Sequence, residues 1–370
     1  MATPPRASFV FFGAYDPAYP RNAVIRRGLR GNGALARDCP ESFHRKFWLR
    51  YPLLLLKFRH LVSVERASDG LAARRFIFVP EFCPKDVPLA KFLSLLTARK
   101  VVFDPLAARY ETKILDWRRR PPSSLTAWWN FQIDAAAFRL ADIILADTAA
   151  HKEYFCRAYK IDPGRVFVLP VGFDDAFFRP AESRPVEPGV FDVLFFGSFL
   201  PLHGVEIIAE AARFLVKETD VRFRFIGDGQ TFPGVRAYAE AHGLRNIEFL
   251  GRVPLSRLPA EVERASVCLG VFGRTEKARR VVPHKIFQAL ASGRAVITAR
   301  TPAVEEFFAH RRDIFLCDEP LAGSLALAIL ELKRDDALRR SLADNGRRLV
   351  EERYSPPAIG RRLLDILDIP

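Results

Sequence analysis

Short apolar runs alternate with stretches of helical periodicity along the whole chain. In the first half the strand-like runs fall at residues 8–12, 76–79, 101–103, 143–146 and 166–168, separated by helical patterns at 22–36, 89–98 and 127–141. In the second half they fall at 193–196, 222–226, 247–250, 267–271, 295–298 and 313–316, with helical patterns such as 204–218 between them. Apolar runs interleaved with helices predict parallel sheets covered by helices on both faces. Ligands of such sheets bind beyond the carboxyl ends of the strands.

Two complete patterns of this kind are separated by FRPAESRPVEPGVFD, whose three prolines and one glycine cannot hold a helix. The expected organisation is a first domain over 1–178, a linker over 179–191 and a second domain over 192–353. Tyr354-Ser355-Pro356-Pro357 then breaks the chain before a last helix, so that 354–370 is expected to return toward the first domain.

Composition narrows the classes. A chain of 370 residues, 49% of them hydrophobic, is long enough for two domains with substantial cores. Its five cysteines are scattered and odd in number, which supports neither a disulfide framework nor a zinc site and fits a reducing cytoplasm. The start, MATPPRASFVFFG, lacks the apolar core of a signal peptide. The longest unbroken apolar run, 325–330, is far short of the roughly 20 residues needed to span a bilayer. The net charge of +14 is uneven: residues 1–180 hold 29 Lys and Arg against 17 Asp and Glu, the remainder 28 against 26. An excess confined to one half points to an acidic partner there. No nucleic-acid recognition motif accompanies it, so none is expected.

The second half carries the chemistry. A strand ending at Phe196 leads into a loop with Gly197, Ser198, His203 and Gly204 before a helix, and glycines in such a turn let backbone N–H groups approach a phosphate. Arg224 to Gln230, RFIGDGQ, is another strand followed by Gly227 and Gly229, and IEFLGRVP repeats the form with Arg252 and Val253 leaving the strand. In VVPHKIFQALASGRAVIT a helix begins after Pro283 with His284, Lys285 and Gln288 on its first turns; its N–H groups and dipole offer an anion seat, and the lysine adds a full charge. An ordinary β–helix–β unit with solvated polar residues would carry the same pattern, and tight turns alone would explain the glycines.

Together and in order, FFGSF-x₃-HG, FIGDG, FLGRVP and VVPHKIFQALASGRAVIT resemble the donor-binding domain of retaining glycosyltransferases of the GT-B fold, family 4, the glycosyl transferases group 1 set. FFGAYDPAYPRN, VVFDPLAARYET, LADIILADTAAHKEYF and VLPVGFDDAFFRP resemble that family's first domain. The resemblance implies an α/β fold of two Rossmann-like, doubly wound domains facing across a cleft. It implies transfer of a sugar from a nucleotide-diphosphate sugar to a glycan or lipid-linked acceptor, with retention and without a metal or other cofactor. Gly197, Ser198 and Gly204 would line the diphosphate, with His203 where the family usually has a lysine. Lys285 would lie near the phosphates, Gln288 at the ribose, Gly227 and Gly229 near the nucleotide, and Arg252-Val253 near the base. Asp104 stands where many relatives carry a histidine facing the acceptor. Gly13 and Asn22 lie on the loop expected to approach the donor from the other domain. His203, Lys285 and Asp104 are thus the expected catalytic residues.

The family's E-x₇-E signature is absent, with Arg280 and Gln288 in the two positions. Glu276 is the nearby carboxylate that could substitute if its loop turns inward. The departures keep two alternatives open: a sugar-nucleotide epimerase of the same fold, and a catalytically degenerate protein that binds nucleotide or glycan.

One segment needs no family. Residues 43–60, FHRKFWLRYPLLLLKFRH, interleave Arg45, Lys46, Arg50, Lys57 and Arg59 with Phe47, Trp48, Tyr51 and four leucines, and Pro52 is expected to kink or split it. Such a mixture suits an element lying on an anionic membrane, where each basic residue contributes about 1 kcal/mol. A core helix with a charged outer face would read the same. WRRRPPSSLTAWWN, from Trp117 to Asn130, is expected to be a second basic-aromatic loop. The expected location is the cytoplasm, peripheral to the inner face of the plasma membrane.

Overall fold

The computed structural model describes residues 6–42, 46–68, 74–179 and 189–369. Most of the expected linker and positions 43–45 of the basic-aromatic segment lie outside the described residues. The chain divides into two units, one of Met1–Pro170 with Pro356–Pro370, the other of Val171–Ser355. The division falls at Pro170, ahead of the boundary expected at 178, because residues 171–179 belong with the second unit.

The first unit runs β1 (Ser8–Gly13), α1 (Pro20–Gly31), β2 (Leu35–Pro40), α2 (Phe47–Ser68), β3 (Arg75–Val79), α3 (Val87–Thr97), β4 (Lys100–Phe103), α4 (Leu125–Leu140), β5 (Ile143–Ala146), α5 (Ala149–Tyr159) and β6 (Val166–Val168). Its strands form one parallel sheet in the order β2-β1-β3-β4-β5-β6. Every residue of β1 is buried, and rings stack across the sheet, Phe9 on Phe76 at 5.0 Å and Phe11 on Phe78 at 4.5 Å between centroids.

Three expectations are corrected here. The helix expected over 22–36 ends at Gly31, and the chain turns at Gly33 (φ +78°) into β2. β2 lies at the sheet edge and is only partly buried, so LARDCP lacks the apolar run that marks the inner strands. Pro52 does not split its segment; α2 continues through it. Of the expected loop 117–130, the second half is the first turn of α4, capped by Ser124, whose hydroxyl accepts from Ala127 N–H at 3.2 Å.

The second unit runs β7 (Phe191–Phe196), α6 (Val205–Phe214), β8 (Val221–Ile226), α7 (Phe232–Ala241), β9 (Ile247–Gly251), α8 (Leu258–Glu263), β10 (Val267–Leu269), α9 (His284–Ala291), β11 (Ala295–Ala299), α10 (Pro302–Glu305), β12 (Phe315–Cys317), α11 (Ala322–Arg334) and α12 (Asp336–Tyr354). The strands are again parallel, in the order β12-β11-β10-β7-β8-β9. The order reverses between β7 and β10, a topological switch of the kind that opens a crevice beyond the strand ends. A final helix, α13 (Pro356–Ile366), belongs to the first unit and crosses α1 so closely that a Cβ on Gly28 would stand 2.1 Å from the Pro356 carbonyl oxygen. Among the described residues no helix is long and apolar enough to cross a membrane.

Candidate functional site

The carboxyl ends of β7 and β8 are pinned together. Gly197 N–H donates to the Ile226 carbonyl at 3.0 Å, and Gly227 N–H to the Gly251 carbonyl at 2.7 Å. At Gly227 (φ +129°) a Cβ would lie 1.9 Å from the Gly197 carbonyl oxygen, so no other residue fits. Gly204 (φ +62°) begins α6 with its Cα against the Phe272 backbone, where a Cβ would come within 2.4 Å of the carbonyl carbon. The loops interlock further, since Phe199 N–H donates to the Asp228 carbonyl at 3.0 Å and Thr231 N–H to the Phe199 carbonyl at 3.0 Å. Gly229 lies within this lacing.

Lys285 and His203 meet at Gly197. A Cβ there would touch His203 Cε1 at 3.8 Å and Lys285 Cδ at 3.9 Å. Lys285 projects from the first turn of α9, whose N-cap is Pro283 and which no side chain caps. Its Nζ is buried 4.0 Å from the centroid of the Phe195 ring, and among the described residues no acceptor binds it. Burial therefore pulls its pKa well below the usual lysine value. The His203 imidazole is held well below its usual value by burial and then by the charge of Lys285. Its Nδ1 faces the Ser198 carbonyl, which can only accept, so Nδ1 carries the proton and Nε2 the lone pair. His203 is thus a neutral ring with an accepting Nε2, not the hydrogen-bond donor that a phosphate contact requires.

The other expected donor-site residues lie around this centre unequally. Gln288 is buried one turn beyond Lys285 on α9. His284, next to Pro283, donates from Nδ1 to the Gly172 carbonyl at 3.2 Å. Glu276 is exposed and accepts from Arg280 at 3.1 Å, so the carboxylate that could substitute by turning inward is paired on the surface with the arginine of the signature position. Arg252 is exposed, with a guanidinium nitrogen 3.6 Å from Asp228, and Val253 is half-buried beside it.

In the first unit, Gly13 ends β1 at φ +133°, close to the +138° of Gly197 at the end of β7, and each follows a Phe-Phe pair. Ala14 N–H donates to Asp86 at 2.9 Å, and Asp86 also receives Arg50 at 2.9 Å. Asn22 is buried and donates to the Asp16 carbonyl at 2.8 Å and to Glu81 at 2.7 Å. Burial, and then the charge of Asp104, raise the Glu81 carboxyl to about 8. Asp104 is fully buried with both oxygens bound by Arg21, at 2.5 and 2.9 Å, and Arg21 also donates to the Leu169 and Pro170 carbonyls at 3.1 Å. This corrects its expected role: a carboxylate so committed presents no free oxygen to an acceptor.

Sequence reasoning missed the buried polar groups of this unit. His151 lies between Asp147 at 2.6 Å and Glu111 at 3.0 Å, all three buried. The spacing of Asp147 and His151, four apart at a helix start, was the available signal. Glu111 is distant in sequence and gave none.

With this geometry in place, residues 190–335 match the family model for glycosyl transferases group 1. An uncharacterized glycosyltransferase of Methanocaldococcus jannaschii is 29% identical over 154 residues, 42% of this chain and 41% of that protein. A phosphatidylinositol N-acetylglucosaminyltransferase component of Arabidopsis thaliana is 28% identical over 199 residues, 52% of this chain and 42% of that protein. The match thus spans about two-fifths of the length of these curated relatives. Among solved structures, Anabaena HepE in complex with UDP and glucose superposes with a TM-score of 0.71 at 16% identity, covering 98% of this chain and 99% of that one. The chain has the GT-B fold of two Rossmann-like units, and the stretch that matches the group 1 model falls within its second unit.

Proposed function

We propose that this protein transfers a sugar from a nucleotide-diphosphate sugar to an acceptor hydroxyl, with retention of anomeric configuration. The observation that carries the reading is the buried nitrogen of Lys285 at the uncapped start of α9, its side chain passing Gly197 and, among the described residues, with no acceptor of its own. A buried cation without a partner is costly unless an anion completes it. The diphosphate of a donor is such an anion, and HepE, which shares the fold, is described with UDP and glucose.

Breaking the anomeric C–O bond leaves negative charge on the departing diphosphate. Lys285 and the α9 N–H groups, aimed at that oxygen, stabilise the transition state more than the ground state. With this charge supplied by the chain itself, the reaction is assigned no resident metal. The accepting Nε2 of His203 suits a hydroxyl of the sugar better than its phosphate, and Gln288 suits the ribose. The acceptor is a glycan or a lipid-linked molecule, modified in the cytoplasm and, when lipid-linked, at the inner face of the plasma membrane.

The degenerate alternative is favoured by one observation, the Glu276–Arg280 pair that leaves the signature position without a free carboxylate. Release of nucleoside diphosphate from UDP-, GDP-, ADP- and TDP-sugars, with and without a cell-envelope extract, separates the readings. Acceptor-dependent release supports transfer, acceptor-independent conversion of the sugar supports an epimerase, and no turnover of any donor leaves a binding protein.

A further inference from the structure

In the first unit the strand order, with right-handed crossovers, puts α2, α3, α4 and α5 on the sheet face opposite α1 and α13. The inner sides of α2, α3 and α4 are apolar, as a core requires: Leu54, Leu93 and Phe138 are buried. Their outer sides are apolar too. On α3, Pro88, Phe92, Leu95 and Leu96 follow the i, i+4, i+7, i+8 spacing of one helical face, and all are exposed, Leu95 by 74%. Leu56 of α2, 62% exposed, and Leu125 and Trp129 of α4, 79% and 57% exposed, extend the face on either side. α5, in the same layer, instead shows the ion pair Arg157–Glu153. An apolar face across three adjacent helices that stops abruptly at the fourth is a binding surface, not scattered exposure.

Along the stretch that builds it, the exposed charges are of one sign. Between residues 46 and 140, all seven described acidic side chains are buried: Glu65, Glu81, Asp86, Asp104, Glu111, Asp116 and Asp134. The cations there mostly face outward, among them Lys46, Arg59, Arg119, Arg120 and Arg139. Arg50, expected on the surface, is buried against Asp86, and Arg99 against Glu65. A recess of about 280 Å³ between Tyr51, Pro88, Trp129 and Ile133 opens among the three helices, with Lys85 in its wall.

We propose that the α2–α3–α4 face docks on an anionic lipid bilayer. Its leucines and tryptophans enter the interfacial region, an acyl chain fills the recess, and the surrounding cations meet the headgroups. The inference does not depend on the sugar-transfer reading, since it concerns neither Lys285 nor the donor loops. It replaces the single segment 43–60 with a surface built by three helices.

The test is flotation of the full chain with phosphatidylglycerol–phosphatidylcholine vesicles and with phosphatidylcholine alone, at physiological ionic strength. The chain is expected to bind the anionic vesicles at least tenfold more tightly. Lys46→Ala with Arg59→Ala lowers that binding about 25-fold, and Leu95→Glu with Leu96→Glu abolishes it. Leu327→Glu, at an exposed leucine of α11 in the second unit, leaves it unchanged. Leu56→Glu gives the same loss from α2 if the α3 variant fails to fold. Failure of the unaltered chain to bind anionic vesicles overturns the proposal, as does undiminished binding by folded α2 and α3 variants. A dimer in sedimentation that Leu95→Glu with Leu96→Glu separates overturns it also, assigning the face to a second copy.

Discussion

The side-chain nitrogen of Lys285 sits 4.0 Å from the ring centroid of Phe195, so it rests on an aromatic face and not on a carboxylate. A cation–π contact compensates part of the lost hydration and leaves the hydrogen-bonding capacity of the ammonium open. Burial has already pulled the lysine pKa well below its usual value, and a diphosphate arriving beside it raises that pKa again. Binding of UDP is therefore expected to take up a proton at pH values between the two, and affinity to fall as pH rises through that window. Calorimetry in buffers of different ionisation enthalpy measures the uptake; it vanishes in Lys285→Met. Equal heats in all buffers for the unaltered chain contradict the assignment.

Gly227 is the tightest point of the donor loops. Gly227→Ala places a methyl group 1.9 Å from the Gly197 carbonyl at a backbone conformation that L residues rarely adopt. Strain and overpacking together are expected to cost about 3 kcal/mol. Urea unfolding reads this loss, and nucleotide binding weakens with it because the β7 loop must move. Gly234→Ala, at a helical glycine with nothing near its Cβ, serves as the control and is expected to lose no stability.

His151 makes the first unit sensitive to alkaline pH. Burial lowers its pKa, but Glu111 and Asp147 outweigh burial and hold it at about 9. Because the folded value is raised, its stabilisation is complete below the unfolded value near 6.5 and is lost as pH rises through about 9. On the order of 3 kcal/mol is at stake. Denaturant unfolding at about pH 6 and about pH 10 should show that difference, and His151→Gln should flatten the slope. An unchanged slope would remove His151 as its source.

Asp104→Asn tests whether Asp104 anchors the fold. Removing one charge of a buried pair strands Arg21, and about 3–5 kcal/mol should be lost. Nucleotide affinity of protein that is still folded should stay near the unaltered value. Full stability with lost transfer would return Asp104 to the acceptor side.

The strands and the glycine turns were legible in the sequence because each has a local cause. Inner strands are unbroken apolar runs, and Gly197, Gly204 and Gly227 hold backbone conformations that other residues resist. β2 was not legible, since an edge strand carries no such run. The partners of Asp104 and His151 were hidden because Arg21 and Glu111 lie 83 and 40 positions away in the chain and meet them only through the fold. The direction of Glu276 was open in the sequence for a different reason: i, i+4 spacing allowed its pair with Arg280, but a loop's direction is not written in its composition.

The most direct test of the account is titration of the intact protein with UDP, GDP, ADP and TDP, beside the same titration of Lys285→Ala. The account predicts saturable binding of at least one of the four and a loss of about 100-fold in the variant, the weight of a charge-assisted phosphate contact. Binding of none of them, or equal affinity in Lys285→Ala, would contradict it.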